Sequence, residues 1–314
     1  MLESRSEWYF IANPRAGSGK TMSLWVPAEK KLDGLGIPYV TEFTDHKRHA
    51  TALAYEAAEK GYRRIIAVGG DGSLHEVFNG IMKWCDKHSA NPLEFHLGVV
   101  PIGSGNDWIR SLGVPNKADE AISLLAAESF TQMDVVRVKS VGGKISYLAN
   151  CGGTGFDSHV CKRVNILKES GFRSKLIYLN ALRHTALHLK AIDIKVIADD
   201  VEIHSGPAFS VAIGNGKYSG GGMRQVPLAR IDDGMIDVMI VPQMSLTTVF
   251  RQIPRLFNGT LYESGMVKFA RCRKLDIMPL NQESQDILEI DGEIEGRMPF
   301  TVTTGEDRIN VLKG

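Results

Sequence analysis

The stretch Val68-Gly69-Gly70-Asp71-Gly72-Ser73-Leu74-His75-Glu76 decides how this chain is read. It follows the run Arg64-Ile65-Ile66-Ala67-Val68, which reads as a buried strand, and runs into Leu74–Ile81, which reads as a helix start. A glycine-rich turn between a strand and a helix leaves backbone N–H groups without partners and lets a ligand come close. Phosphate suits such a turn, because bare amides and the helix dipole both favour negative charge. Asp71 is the unusual member. A carboxylate beside phosphate is repelled unless a cation or donor mediates, so Asp71 points to metal-assisted phosphate chemistry or to ribose hydroxyls.

Two further segments share this design. Trp8–Ala12 runs into Asn13-Pro14-Arg15-Ala16-Gly17-Ser18-Gly19-Lys20, and a helical pattern covers Thr21–Leu35. Leu97–Val100 runs into Pro101-Ile102-Gly103-Ser104-Gly105-Asn106-Asp107, with a helical pattern over Trp108–Leu112. In an open parallel sheet such turns line the carboxyl edge, where ligands bind. Three of them predict a nucleotide-sized site.

Several familiar phosphate motifs are missing. Gly19-Lys20-Thr21 supplies the end of a Walker A loop, but its first glycine would fall at Pro14, so the pattern fails. The first turn lacks a Gly-x-Gly-x-x-Gly dinucleotide fingerprint. His-Arg-Asp and Asp-Phe-Gly, the marks of protein kinases, are absent.

Composition sets the outer bounds. The chain has 314 residues and a formal net charge of +1, which gives no global argument for nucleic acid. Its apolar runs are too short to span a bilayer, and Met1-Leu2-Glu3-Ser4-Arg5 carries no apolar signal region. Cys85, Cys151, Cys161 and Cys272 form no Cys-x-x-Cys pair, so reduced thiols in a cytoplasmic protein are expected, without a cysteine zinc site.

The pattern changes near the middle of the chain. Up to Asp134, the strands Trp8–Ala12, Tyr39–Phe43, Arg64–Val68 and Leu97–Val100 alternate with helices that include Thr51–Lys60 and Ala118–Ala127. That alternation predicts an α/β domain over residues 1–134, with a parallel sheet. Residues 135–314 are rich in short β-branched runs: Ile192–Ala198, Ala208–Gly214, Met235–Val241, Lys274–Met278, Ile287–Ile290 and Pro299–Thr303. They predict a mainly antiparallel β-sandwich, interrupted by helices within Arg173–Leu189 and Leu246–Phe257. No Pro/Gly-rich tether marks the boundary, so close packing with a cleft is expected. The strand Arg308–Leu312 is a candidate to return to the first domain.

Asn13-Pro14-Arg15-Ala16-Gly17, Gly69–Ser73 and Pro101–Asp107, with Asp232-Asp233-Gly234-Met235 and Asp291-Gly292-Glu293, resemble in order the diacylglycerol kinase family. This is the catalytic domain shared with sphingosine and ceramide kinases and with soluble bacterial lipid kinases. The resemblance covers nearly the whole chain and implies the fold shared by NAD kinases and diacylglycerol kinases. It also implies ATP and Mg²⁺ as cofactors and a lipid hydroxyl, most simply that of diacylglycerol, as acceptor. Gly70, Gly72 and Ser73 would contact the nucleotide phosphates, with Asn13, Thr44 and Ser104 helping. Arg15 can supply a cation, and Glu76 is counted with the same nucleotide set. Asp71, Asp107 and Asp134 would lie in the catalytic metal region. Glu293 would accept the proton of the attacking hydroxyl, although Glu295, two residues on, is a local rival. A second, structural Mg²⁺ would take the Asp233 carboxylate and the carbonyls of Arg230 and Met235. Ser73 replaces the family's more usual threonine, and Gly105 gives a Gly-Ser-Gly-Asn form that also occurs in sphingosine-kinase-like branches.

A lipid acceptor requires access to a membrane. The segment Lys175–Lys190 places Leu176, Ile177, Leu179, Leu182 and Leu189 among basic residues, and could lie on an anionic surface or pack on a sheet. The expected setting is cytoplasmic with transient, peripheral membrane association, and there is room for a homodimer. A kinase of a soluble hydroxyl, as in NAD kinases, and a nucleotide-binding regulator without turnover are the alternatives.

Overall fold

The computed structural model describes residues 5–103, 105–170, 177, 180, 181, 183–185 and 191–314. The predicted helix within Arg173–Leu189 falls largely outside them, as does Ser104. Contacts divide the chain into two units: one runs to Val135 and includes Glu306–Gly314, the other is Val136–Gly305.

The first unit is α/β. Its elements are β1 (Arg5–Ala12), α1 (Ala16–Gly19), α2 (Thr21–Gly34), β2 (Tyr39–Phe43), α3 (His49–Glu59), β3 (Tyr62–Gly69), α4 (Asp71–His88), β4 (His96–Pro101), α5 (Asp107–Leu112), α6 (Ala118–Ala126) and the start of β5 (Phe130–Ser140). β1 pairs in parallel with both β2 and β3, and β3 pairs in parallel with β4. Trp8–Ala12 and Ile65–Gly69 are buried without interruption. A strand covered on both faces has no solvent side, hence the continuous apolar runs.

The helix start read after the decisive turn opens α4, which begins at Asp71 and runs to His88. Its middle, Gly80, lies against α3, where an added Cβ would sit 2.4 Å from the Thr51 carbonyl oxygen and 2.7 Å from the Ala54 Cβ. Alanine is a better helix former than glycine by about 1 kcal/mol, but overpacking costs about 1–3 kcal/mol, and here the obstacle is backbone. Gly80→Ala is therefore expected to lower the melting temperature by a few degrees, which calorimetry would read.

His96, at the start of β4, packs edge-on against Phe130 with ring centroids 4.9 Å apart. Burial, and secondarily the Arg64 guanidinium, hold its pKa below the ordinary histidine value. The unfolded chain then binds the proton more readily than the folded one. Stability from this residue is present above pH 6.5 and is lost as pH falls below it. His96→Phe is expected to move the midpoint of acid unfolding to lower pH, as followed by circular dichroism.

The second unit comprises the end of β5, β6 (Ile145–Leu148), β7 (Cys151–Gly155), α7 (Phe156–Glu169), β8 (Ile192–Ala198), β9 (Val201–Gly214), β10 (Ile236–Pro242), α8 (Leu246–Asn258), β11 (Lys268–Cys272), β12 (Lys274–Pro279), β13 (Ile287–Ile290), β14 (Glu293–Arg297) and the start of β15 (Phe300–Leu312). It is an antiparallel β-sandwich. The long strand β9 pairs with β8 through its first half and with β7 and β10 through its second. β8 alternates buried and partly exposed residues, as a strand with one covered face should. Ile194, Val196, Val211, Ile213, Val238, Ile240, Leu275 and Ile277 form the core.

β15 pairs with β12 at Phe300–Thr303, while its Asn310 and Val311 pair in parallel with His96 and Leu97 of β4. Among the described residues no helix is long and apolar enough to cross a membrane.

Candidate active site

The three glycine turns sit at the carboxyl ends of β1, β3 and β4, which are neighbours in the sheet. Backbone bonds tie them together. The Asn13 N–H donates to the Val68 carbonyl at 3.0 Å, and the Ile102 and Gly103 N–H groups donate to the Gly69 carbonyl at 2.8 and 3.1 Å. Several glycines are required by contact. A Cβ on Gly17 would meet the Ile102 carbonyl oxygen at 2.3 Å, and one on Gly103 would meet the Gly70 Cα at 2.5 Å. Asn13 accepts the Arg15 N–H on Oδ1 at 2.9 Å, and its Nδ2 reaches Ser73 Oγ at 3.5 Å. The Arg15 side chain is exposed, and Thr44 is buried just after β2, its N–H held by the Ala12 carbonyl at 2.9 Å. Gly70 is the N-cap of the 18-residue α4 without a side-chain cap, so Asp71, Gly72 and Ser73 form the positive end of a long helix.

Asp71 and Asp107 meet at Gly105. Asp71 Oδ1 accepts the Trp108 N–H at 3.0 Å, which closes the first turn of α5. A Cβ on Gly105 would stand 3.1 Å from Asp71 Oδ2 and 3.6 Å from Asp107 Oδ2. Absence of that side chain leaves a cradle bordered by two carboxylates, whose oxygens fit Mg²⁺. Arg110 Nε lies 3.4 Å from Asp107 Oδ1. The other predicted acids of this unit are engaged differently. Glu76 receives the N–H groups of Arg48 and Ala50, each at 3.1 Å, and so caps α3 from α4. Asp134 on β5 is fully buried, with Oδ1 accepting Arg308 Nε at 3.0 Å.

In the second unit, Glu293 opens β14 after the turn Asp291-Gly292, whose φ values of 51° and 90° are both left-handed. That is the two-residue hairpin geometry which an Asp-Gly pair favours. Asp291 is buried, and its two oxygens accept the Ala149 and Asn150 N–H groups at 2.9 and 2.8 Å. The Gly292 carbonyl accepts Asn165 Nδ2 at 3.0 Å and the Cys161 thiol at 2.9 Å, both from α7. Glu293 thus rises from a turn held on two sides. Glu295 is tied down: its Oε2 accepts Lys144 Nζ at 2.6 Å and Ser146 Oγ at 3.0 Å. Beside this hairpin an open groove of about 560 Å³ is lined by Ile287, Ile294 and Gly296, by Lys144, Lys162 and Arg297, and by Glu295.

Residues 7–138 match the family model described as the diacylglycerol kinase catalytic domain, and residues 151–313 match the YegS C-terminal NAD kinase beta sandwich-like domain. The chain belongs to the diacylglycerol kinase family of lipid kinases. A diacylglycerol kinase of Staphylococcus saprophyticus is 26% identical over 96% of this chain and 93% of its own length. One of Mycobacterium tuberculosis is 25% identical over 96% and 94%. The crystal structure of a diacylglycerol kinase from Bacillus anthracis, 22% identical, superposes with a TM-score of 0.72 over 98% of this chain and 97% of that one. Yeast NADH kinase complexed with NADH shares the fold at 9% identity, with a TM-score of 0.53 over 99% and 84%.

The family's Asp-Asp-Gly segment is an Asx turn in this member. Asp233 Oδ1 accepts the Met235 N–H at 3.1 Å, and Oδ2 pairs with Arg271. Arg230 is exposed, with its Nε 3.2 Å from Asp232 Oδ1. Asp237, fully buried, is pushed up to about 6 by burial, while the neighbouring Arg271 pulls the other way. Sequence reading missed the buried acids of the second unit. Asp157 on α7 is one: burial raises its pKa, while hydrogen bonds from Ser210, at 2.6 Å, and Gln225 oppose the rise. Asp286 is another, taking His159 Nε2 at 2.6 Å and the Gly155 N–H at 3.1 Å. A recognised helix over Phe156–Glu169 would have drawn attention to Asp157, His159, Cys161 and Asn165 together.

Proposed function

We propose that this protein is an ATP- and Mg²⁺-dependent lipid kinase that transfers the γ-phosphoryl group to a lipid hydroxyl, diacylglycerol being the first candidate. The carrying observation is the cradle at Gly105 between Asp71 and Asp107, set beside the glycine turns at the ends of β1, β3 and β4. Phosphoryl transfer requires positioning and charge neutralisation more than covalent chemistry. Asn13, Gly70, Gly72 and Ser73 would receive the nucleotide phosphates, with Thr44 and Arg15 at the same edge; Ser104, outside the described residues, would join them. Mg²⁺ would be held at Asp71 and Asp107 and would offset charge on the phosphates. Asp134 would act through its ion pair with Arg308. Glu76 would serve the nucleotide indirectly, by fixing the start of α3 beyond Thr44. Glu293 would orient the acceptor hydroxyl and take its proton. Glu295 is the weaker candidate, since Lys144 and Ser146 already occupy its carboxylate. The groove beside the hairpin, with isoleucines next to charges of both signs, suits an acyl chain near a polar head group.

A second Mg²⁺ at Asp233, with the Arg230 and Met235 carbonyls, would compete with Arg271 for one carboxylate. Arg271→Ala is therefore expected to increase the thermal stabilisation that Mg²⁺ provides, as read by scanning fluorimetry.

The decisive assay gives γ-labelled ATP and Mg²⁺ to the protein, with diacylglycerol, monoacylglycerol, ceramide, sphingosine or phosphatidylglycerol in mixed micelles and NAD as a soluble control. Label in one lipid supports the reading and identifies its acceptor. Label in NAD alone would replace it with the soluble-kinase reading, which the shared fold with yeast NADH kinase makes the natural rival.

A further inference from the structure

We propose that Asp45, His46 and His49 form a binding site for a divalent transition-metal ion of the zinc, cobalt or nickel class. The three lie in the connection between β2 and α3, and one donor atom from each falls within 4.8 Å of the others. The connection is held at both ends. Thr44 is bonded to Ala12 at its start, and Glu76 holds the N–H groups of Arg48 and Ala50 at its end. Between them Arg48 takes a left-handed φ of 66°, which brings His49 back toward Asp45.

The two imidazoles converge on one carboxylate oxygen. His46 Nδ1 and His49 Nδ1 both address the same oxygen, Asp45 Oδ1, the latter at 2.8 Å. His49 Nδ1 also accepts the Asp45 N–H at 3.2 Å. The two rings stack with centroids 4.5 Å apart and planes 15° from parallel. A dication would take the lone pairs of both ring nitrogens and the carboxylate oxygen together, displacing the Asp45 N–H from His49.

The donor set selects the class of metal. Two imidazole nitrogens and one carboxylate suit zinc and its neighbours, whereas Mg²⁺ prefers oxygen alone. The side chains of His46 and Asp45 are 67% and 73% exposed, so the ion enters from solvent and water completes its coordination. Nothing in this proposal depends on the kinase reading.

The test uses untagged, chelator-treated full-length protein and Co²⁺, followed by its visible absorption. One equivalent should bind, be displaced by Zn²⁺ and be unaffected by excess Mg²⁺. His46→Ala and Asp45→Asn should each weaken binding by at least about tenfold, with an unchanged circular dichroism spectrum. Unchanged affinity in His46→Ala would overturn the site, as would loss of the signal in Cys161→Ser instead. So would wild-type protein that shows no saturable binding up to about 1 mM metal, equivalent to about −4 kcal/mol.

Discussion

Asp71→Asn is expected to cut phosphoryl transfer by at least about 100-fold, the scale seen when one preorganised electrostatic group is removed from a transition state. The variant is chosen because Asp71 has two tasks. Its Oδ1 accepts the Trp108 N–H at the start of α5, and asparagine can keep that bond. Its Oδ2 faces the space over Gly105 that Asp107 Oδ2 also borders. Asparagine removes the charge from this side while nearly preserving shape. The melting temperature should stay within a few degrees, whereas Asp71→Ala adds the loss of a helix cap, about 1 kcal/mol. Turnover near the wild-type rate in Asp71→Asn would take Asp71 out of the metal site. Raising Mg²⁺ should recover part of the lost rate if weakened metal binding is the cause.

Glu293→Gln is expected to lower kcat by about 100- to 10,000-fold, the range for a positioned acid–base group, with the KM for ATP little changed. Glutamine keeps the side chain's length and can still meet a hydroxyl, but it cannot take the proton. The hairpin should survive, because its anchors are Asp291 with Ala149 and Asn150, and Gly292 with Asn165. Glu295→Gln is the matched comparison. It weakens the bonds to Lys144 and Ser146 and should cost about 1–3 kcal/mol of stability while leaving most of kcat. The reverse pattern, with kcat lost in Glu295→Gln and kept in Glu293→Gln, would exchange the two roles.

β1, β3 and β4 were legible because burial on both faces writes itself as unbroken apolar runs, and those runs differ from the strands only at their ends. Tyr39–Phe43 has the same bounds in sequence and structure although its residues are only partly covered or exposed, while β5 was not read. In the second unit, Ile192–Ala198 and Ile287–Ile290 match for a related reason: β-branched residues cluster where a sheet face is covered. β7 was not legible. Cys151-Gly152-Gly153-Thr154-Gly155 has little strand propensity, and its glycines answer to neighbours: a Cβ on Gly153 would lie 2.0 Å from the Val211 carbonyl oxygen. α7 was missed as well, since Phe156–Glu169 lacks an apolar stripe broad enough to announce it.

At the candidate site the division is sharper. Sequence alone determined the residue types and their order: glycine turns after strands, acids at Asp71, Asp107 and Asp134, and the Asp-Gly-Glu hairpin. Those features are local, because turn geometry and helix starts depend on a few adjacent residues. Only the tertiary structure decided how each acid is engaged. Asp71 and Asp107 meet across Gly105, whereas Asp134 lies against Arg308, 174 residues away in sequence. Glu76 caps a helix 26 residues earlier in the chain, and Glu295 lies against Lys144. A carboxylate's role follows from what folding brings within 3 Å of it, and partners so distant in sequence leave no local pattern.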